Sequence, residues 1–275
     1  MTKVYNRKLK KVEEVNHYGG NILDKIYQKP FITRLVTSKP ISRLYGLYNG
    51  TKISTKNINK FIKDNNINMD LYEEKKYKSF NDFFIRKLKH INIDKGFISP
   101  VDGKLLVYKI EDNLEIKVKN ITYKVSDLIN DEIKLNNGYI FIYRLSVDNY
   151  HRFHYIDDGK RIKRVKIKGR LHTVSSSSNK YKIYKENERE YSILKTKEFG
   201  NIIYMEVGAL LIGKIINHDL NNFKRGQEKG YFLPGGSTVI IIADNIDVDK
   251  DILKYSKKHI ETLVTVGEKV GEKKC

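Results

Sequence analysis

The chain has 275 residues, 40% of them hydrophobic and 31% charged, which is the balance of a globular protein able to bury one large core or a main domain with a smaller appendage. Its 53 Lys and Arg outnumber 33 Asp and Glu, and the resulting net charge of +20 draws it to polyanions without choosing between nucleic acid and an anionic bilayer. The single cysteine is the last residue, Cys275, so an internal disulfide is excluded; no signal peptide opens the chain and no apolar run approaches the roughly 18 residues of a membrane span.

Up to about His17 the chain is polar and charged, and reads as an irregular arm or an edge strand. Three short segments then repeat one design. Ile22, Leu23, Ile26 and Tyr27, then Phe31, Ile32, Leu35 and Val36, then Ile41, Leu44, Tyr45 and Tyr48 recur at helical spacing, with Pro30 and Pro40 placed where a helix tolerates a missing amide donor. Lys25, Lys29, Arg34, Lys39 and Arg43 sit among these stripes. Each such helix either packs its apolar face on the main domain or lies in the interface of an anionic membrane. A fourth helix is predicted around Ile58, Phe61 and Ile62. A fifth starts after Ser79, where Asp82 three residues on has the form of a capping box and Phe80, Phe83, Phe84 and Leu88 supply an apolar face.

From Phe97 the period changes to two. Leu105 and Val107, then Leu114, Ile116 and Val118, then Ile121, Tyr123 and Val125 beyond a turn at Asn120 alternate with polar residues, and residues 139–145, 162–167, 191–196, 202–207 and 239–243 continue the pattern. The expected fold class is α+β, with N-terminal amphipathic helices in a region of residues 1–90 followed by a mostly antiparallel β domain over 91–275. Val207-Gly208-Ala209 with Gly213-Lys214-Ile215, and Thr265 to Gly271, look like barrel-sandwich turns, but neither carries the Met-Lys-Met hairpin of a swinging-arm carrier. Ser175 to Ser178 reads as a polar loop within the β region.

Near the C-terminus, Gly230-Tyr231-Phe232-Leu233-Pro234-Gly235-Gly236-Ser237-Thr238-Val239 delivers a serine to the mouth of an apolar strand. Glycine before a serine leaves the preceding carbonyl uncrowded and admits backbone angles closed to other residues. The Ser237 hydroxyl can therefore attack the Gly236 carbonyl and move the acyl group from nitrogen to oxygen. Removal of the α proton then expels the ester, and the dehydroalanine left behind hydrolyses to a pyruvoyl group, an electron sink. The same Gly-Gly-Ser-Thr is also an ordinary turn leading into a strand. A serine needs a base, commonly a histidine oriented by a carboxylate, and Asp102 and His154 are available. His151 and His154 have H-x-x-H spacing, which suits a metal on a helix, but no cysteine or glutamate partner accompanies them and no metal is expected.

Four motifs stand in one order: Phe83-Phe84-Ile85-Arg86-Lys87-Leu88, Ser99-Pro100-Val101-Asp102-Gly103, Tyr150-His151-Arg152-Phe153-His154 and the Gly235-Gly236-Ser237 turn. Together they resemble the phosphatidylserine decarboxylase proenzyme family, over about Tyr18 to Gly271. The resemblance implies a pyruvoyl-dependent carboxy-lyase. Asp102, His154 and Ser237 would be its charge-relay set for cleavage between Gly236 and Ser237, giving a chain of residues 1–236 and a chain of 237–275 that form a heterodimer, with further dimerisation open. It implies a Schiff base between the pyruvoyl group at Ser237 and the amine of phosphatidylserine, with His151 as proton donor or positioning group while CO2 leaves and phosphatidylethanolamine forms. It also implies a peripheral enzyme at the cytoplasmic face of an anionic membrane, with no metal and no nucleic acid.

Five positions depart from the pattern. Asn149 stands where Asp is common, Val147 where Pro is, Ser175-Ser176 where relatives read Asn-Pro, and Pro234 where an aromatic or polar residue is usual. The lost negative charge bears on the ionisation of His151, and Pro234 fixes the approach to the cleavage bond; cleavage is still expected. Two other readings stay open. A nucleic-acid-binding β protein would use the basic Arg161 to Lys168 strand, which lacks an aromatic platform. A pyruvoyl decarboxylase of a soluble amino acid would leave the three amphipathic helices unexplained.

Overall fold

Alternating apolar and polar residues pair into one large open sheet in the computed structural model, which describes residues 2–15, 25–110, 115–118, 121–129, 131, 138–172, 182–209, 214–234 and 237–274. In sheet order the strands are β13 (Asn222–Phe223), β9 (Gly159–Ile167), β10 (Arg189–Thr196), β11 (Asn201–Val207), β15 (Ser237–Ala243), β7 (Tyr139–Leu145), β4 (Gly103–Lys109), β17 (Glu261–Val264), β1 (Thr2–Asn6) and β2 (Lys11–Val15). Neighbours are antiparallel except β1, which lies parallel to β17.

Apolar layers cover both faces at the centre, so β15 reads as an unbroken apolar run rather than an alternation. Val239, Ile241 and Ala243 face one core and Ile240 and Ile242 the other. The first core is closed by two small sheets. One orders β12 (Ile215–Asn217), β14 (Glu228–Phe232) and β8 (Arg152–His154); the other orders β16 (Ile246–Val248), β18 (Lys269–Lys273) and β3 (Phe97–Ile98).

The polar start of the chain forms the sheet's edge. Arg7, in the turn of the β1–β2 hairpin, binds Asp249, Asp251 and Glu268 at 2.7, 2.9 and 2.8 Å, and Tyr5 stacks on Tyr255 with ring centroids 3.9 Å apart. The helices α1 (Pro30–Val36), α2 (Lys39–Asn49), α3 (Ile58–Asp64) and α4 (Phe80–Phe84) follow. Ser79 caps α4 by accepting the Asp82 amide at 3.2 Å, while the Asp82 carboxylate turns to Lys75 and the Lys78 amide. Asn81 ties α4 to α2 through the Gly46 carbonyl at 3.0 Å.

The fold class is as expected, and most predicted segments recur, with local differences. Val125 starts a short helix, α5 (Val125–Leu128), instead of ending a strand, because its side chain is buried among Tyr123, Leu128 and Ile129. The phenylalanine helix stops at Phe84, and Leu88 bridges to Tyr72 in extended backbone. Ile22 and Leu23, Leu114, the Asn120 turn, the Ser175 to Ser178 loop, Gly213 and Cys275 lie outside the described residues. Among the described residues no helix is long and apolar enough to cross a membrane.

Candidate active site

Ser237 opens β15 between β7 and β11. It pairs with Leu145 on β7, and the Val207 to Thr238 pair on β11 brings the next residue, Gly208, opposite Ser237. Ser237 is fully buried, and its hydroxyl, like that of Thr238, has no hydrogen-bond partner among the described residues. Leaving a buried hydroxyl unpaired costs roughly 1–3 kcal/mol, which is tolerated where a group is held for chemistry. Gly235 and Gly236 lie outside the described residues. A side chain at Gly208 would press on its neighbours, since a Cβ there would stand 3.2 Å from Leu171 and 3.3 Å from the Glu188 carbonyl. Beside Gly208 opens a cavity of 790 Å³ whose far wall is α2.

Asp102 lies just before β4, across β7 from Ser237. Two strand spacings of about 4.8 Å put their backbones roughly 10 Å apart. Burial pushes the Asp102 carboxyl up, against the opposing pull of the Val266 amide, Lys8, Arg86 and the Tyr150 amide. The Val266 amide donates to it at 2.8 Å.

His154 is set by β8. Its amide donates to the Pro100 carbonyl at 2.9 Å, two residues before Asp102. On its ring, Nδ1 meets the Gly226 carbonyl at 2.9 Å and Nε2 meets Tyr150 Oη at 3.2 Å. A carbonyl only accepts, so the neutral ring carries its proton on Nδ1 and leaves Nε2 as the base. Burial holds the His154 pKa below its ordinary value, partly offset by the Gly226 carbonyl and Glu228. Among the described residues no hydrogen bond joins Asp102, His154 and Ser237 to one another. Tyr150 stands between the first two instead, offering its amide to Asp102 and its hydroxyl to His154.

His151 precedes β8, and its carbonyl accepts the Phe232 amide at 2.9 Å, five residues before Ser237. Its Nδ1 donates to the Asn149 carbonyl at 2.8 Å, again leaving Nε2 as the base, and its ring lies 4.0 Å from that of Phe84. The Asn149 side chain is turned away, accepting the Ser146 amide at 2.7 Å. The residue that departs from the usual Asp therefore acts on His151 through its backbone. His154 ends β8 and His151 precedes it, so the H-x-x-H spacing does not lie on a helix, the setting that would have made it a metal pair. Among the described residues no three His, Cys, Asp or Glu side chains converge as a metal site.

Three further groups were not singled out as site residues from the sequence. Arg86 is 2% exposed, lies over the Tyr72 ring, and donates to the Asp148 and Asn149 carbonyls at 2.8 and 3.3 Å. With Phe84 against His151, and with the Ile85 carbonyl accepting Arg152 Nε at 2.7 Å, the Phe-Phe-Ile-Arg stretch clamps residues 148–152, the segment that leads through His151 into β8. Its signal was its place among the ordered motifs. Tyr150 was visible only as the neighbour of His151.

The third group is Lys229 with Glu206, which meet at 2.6 Å in the interior, Lys229 also donating to Asn217 at 2.6 Å. Burial raises the Glu206 pKa and lowers that of Lys229, while each partner's charge opposes the shift. Glu206 pairs with Val239 on β15, on the same sheet face as Ser237. Its partner arrives from the small sheet, so nothing local in the sequence marked the pair.

Compared with known families, the chain matches phosphatidylserine decarboxylase over residues 80–272. Among curated proteins it is similar to phosphatidylserine decarboxylase proenzyme 2 of Clostridium acetobutylicum, with 45% identity and 98% of each chain covered. The phosphatidylserine decarboxylase proenzyme of Clostridium novyi is 42% identical over 99% of this chain and 100% of its own. That of Clostridium tetani is 40% identical over 100% of this chain and 99% of its own.

Proposed function

The chain belongs to the phosphatidylserine decarboxylase family, and we propose that it cleaves itself between Gly236 and Ser237 and acts on phosphatidylserine at a membrane surface. The activity is that of a carboxy-lyase made as a proenzyme. The observation that carries the residue assignment is the buried Ser237 hydroxyl at the head of β15, which has no hydrogen-bond partner among the described residues. A small carbonyl group at 237 suits a water-excluded position at the head of a buried strand. Once formed, the pyruvoyl group supplies an electron sink for the departing carboxylate.

The chain's own residues prepare that step. In this reading His154 Nε2 takes the Ser237 proton after exchanging its Tyr150 partner for the serine hydroxyl, and Asp102 anchors the backbone of Tyr150 from the other side. His151, with Nε2 as its base, handles the proton during decarboxylation. Residues 237–275 then remain as the short chain, gripped by β7 and β11 along β15 and by Arg7 on its far side. We assign residues 1–90 to membrane association and 91–275 to catalysis, although the β1–β2 hairpin is built into the sheet. Phe31 is 81% exposed, and Leu44, Leu47 and Ile53 are each more than 60% exposed. Apolar side chains so displayed among Lys and Arg suit the cytoplasmic surface of an anionic bilayer.

Intact mass spectrometry tests the reading. The native protein should give two fragments meeting at Gly236 and Ser237, the short one blocked and lighter than a serine start, while Ser237→Ala stays whole. A native protein that also stays whole refutes self-cleavage. His154→Ala should block cleavage and His151→Ala should spare it, losing CO2 release instead; the opposite result would exchange their roles.

A further inference from the structure

The 790 Å³ cavity between α2 and the Gly208 end of β11 has two differently built walls. On the sheet side are Gly208, one residue beyond the Val207 to Thr238 pair that ends the β11–β15 ladder, and Lys214. On the helix side are Ser42 and Arg43, with Leu44 and Leu47 continuing outward. The two cations thus come from separate elements, and among the described residues neither makes an ion pair. The one carboxylate in the lining, Glu188, already faces Lys166 at 3.4 Å, and its carbonyl accepts the Gly208 amide at 2.8 Å.

Two more features of α2 point to an anion. Ser42 is 1% exposed, lines the cavity, and its hydroxyl has no partner among the described residues. The first turn of this eleven-residue helix contains no acidic residue and Ser38 provides no side-chain cap, so no side-chain charge there offsets the positive end of its dipole, although Pro40 has no amide donor and the Ser42 amide already donates to the Ser38 carbonyl. A buried hydroxyl donor, two unpaired cations and an uncapped helix start suit a phosphate group. Leu44 and Leu47, each 63% exposed, extend the same wall toward solvent.

We propose that this cavity is a phosphodiester subsite in which Arg43 and Lys214, with Ser42, hold the phosphate of a glycerophospholipid while its amine-bearing end passes Gly208 to position 237. The assignment rests on the decarboxylase reading for what lies beyond Gly208, whereas the phosphate contact stands on the cavity itself. It makes substrate selection a matter of distance. A free amino acid has the reactive end but nothing to span the gap to Arg43 and Lys214.

The test compares the native processed protein with Arg43→Ala/Lys214→Ala on two monomeric substrates, dihexanoyl phosphatidylserine and acyl-free glycerophosphoserine. Intact mass first establishes that the double variant is cleaved. The KM of both substrates should then rise at least tenfold with kcat within about threefold, and Arg43→Lys/Lys214→Arg should restore the native KM. An unchanged KM on both monomers, with loss only on vesicles, would overturn the subsite and leave the cations as membrane contacts. Inorganic phosphate should compete weakly with glycerophosphoserine; equal competition would overturn the lipid assignment in favour of a free-phosphate site. If the native protein released no CO2 from either substrate, the decarboxylase reading would fail. Calorimetric binding of glycerophosphoserine, lost in the double variant, would still decide the subsite.

Discussion

Ser237 and Leu47 stand at opposite ends of the proposed approach and are built by different physics. Ser237 is fully buried in a central strand with partners on both sides, whereas Leu47 is 63% exposed on a helix whose outward apolar face has no cover among the described residues. The proposed reactive end depends on long-range strand pairing, which excludes water and leaves the Ser237 hydroxyl without a partner among the described residues. The outer end depends on local helical periodicity and tolerates exposure that a core could not. Chemistry and lipid access should therefore fail separately when each end is damaged.

The largest effect is expected from closing the passage between them. Gly208→Val places methyl groups where even a Cβ stands 3.2 Å from Leu171, so CO2 release should fall at least a hundredfold in kcat/KM. Unchanged turnover would show that the substrate does not pass Gly208. Next comes the buried pair on the chemical side. Lys229→Met leaves Glu206 without its counter-ion at 0% exposure, held only by Asn217 at 3.0 Å, a loss of about 3–5 kcal/mol by urea unfolding, and Lys229→Met/Glu206→Gln should recover most of it. A small loss in the single variant would mean that Glu206 is already neutral.

At the lipid end, Phe31→Asp with Ile53→Asp should weaken binding to anionic vesicles tenfold or more, because each exposed apolar side chain contributes about 1.5–3 kcal/mol when it enters an apolar phase. Turnover of monomeric dihexanoyl phosphatidylserine should stay native. Equal loss on both substrates would place these residues in the fold rather than on a membrane.

The smallest effect concerns pH. Burial depresses the His154 pKa, so its neutral form is favoured in the folded protein, and stability present above the ordinary histidine value of about 6.5 is lost as pH falls through the folded value. The acid limb of self-cleavage should lie below that ordinary value. Glu228→Gln removes a charge that favours the protonated ring and should move the limb to still lower pH. A shift toward higher pH, read from the cleaved fraction by mass spectrometry, would exclude His154 as the titrating base.

Much of this was legible in the chain itself. Period-two alternation located β4, β7, β10 and β11, helical stripes with Pro30 and Pro40 located α1 and α2, and the order of four motifs pointed to Asp102, His151, His154 and Ser237. Such signals are local, because side-chain direction repeats within a few residues and a turn is specified by its own sequence. Tertiary structure decided which elements meet. It brought the end of β11 beside the start of β15, put Tyr150 between Asp102 and His154, turned the Asn149 side chain away from His151, and closed Lys229 onto Glu206 from another sheet. Strand order and sheet stacking follow from burying apolar faces across the whole chain, and no local pattern encodes that minimum.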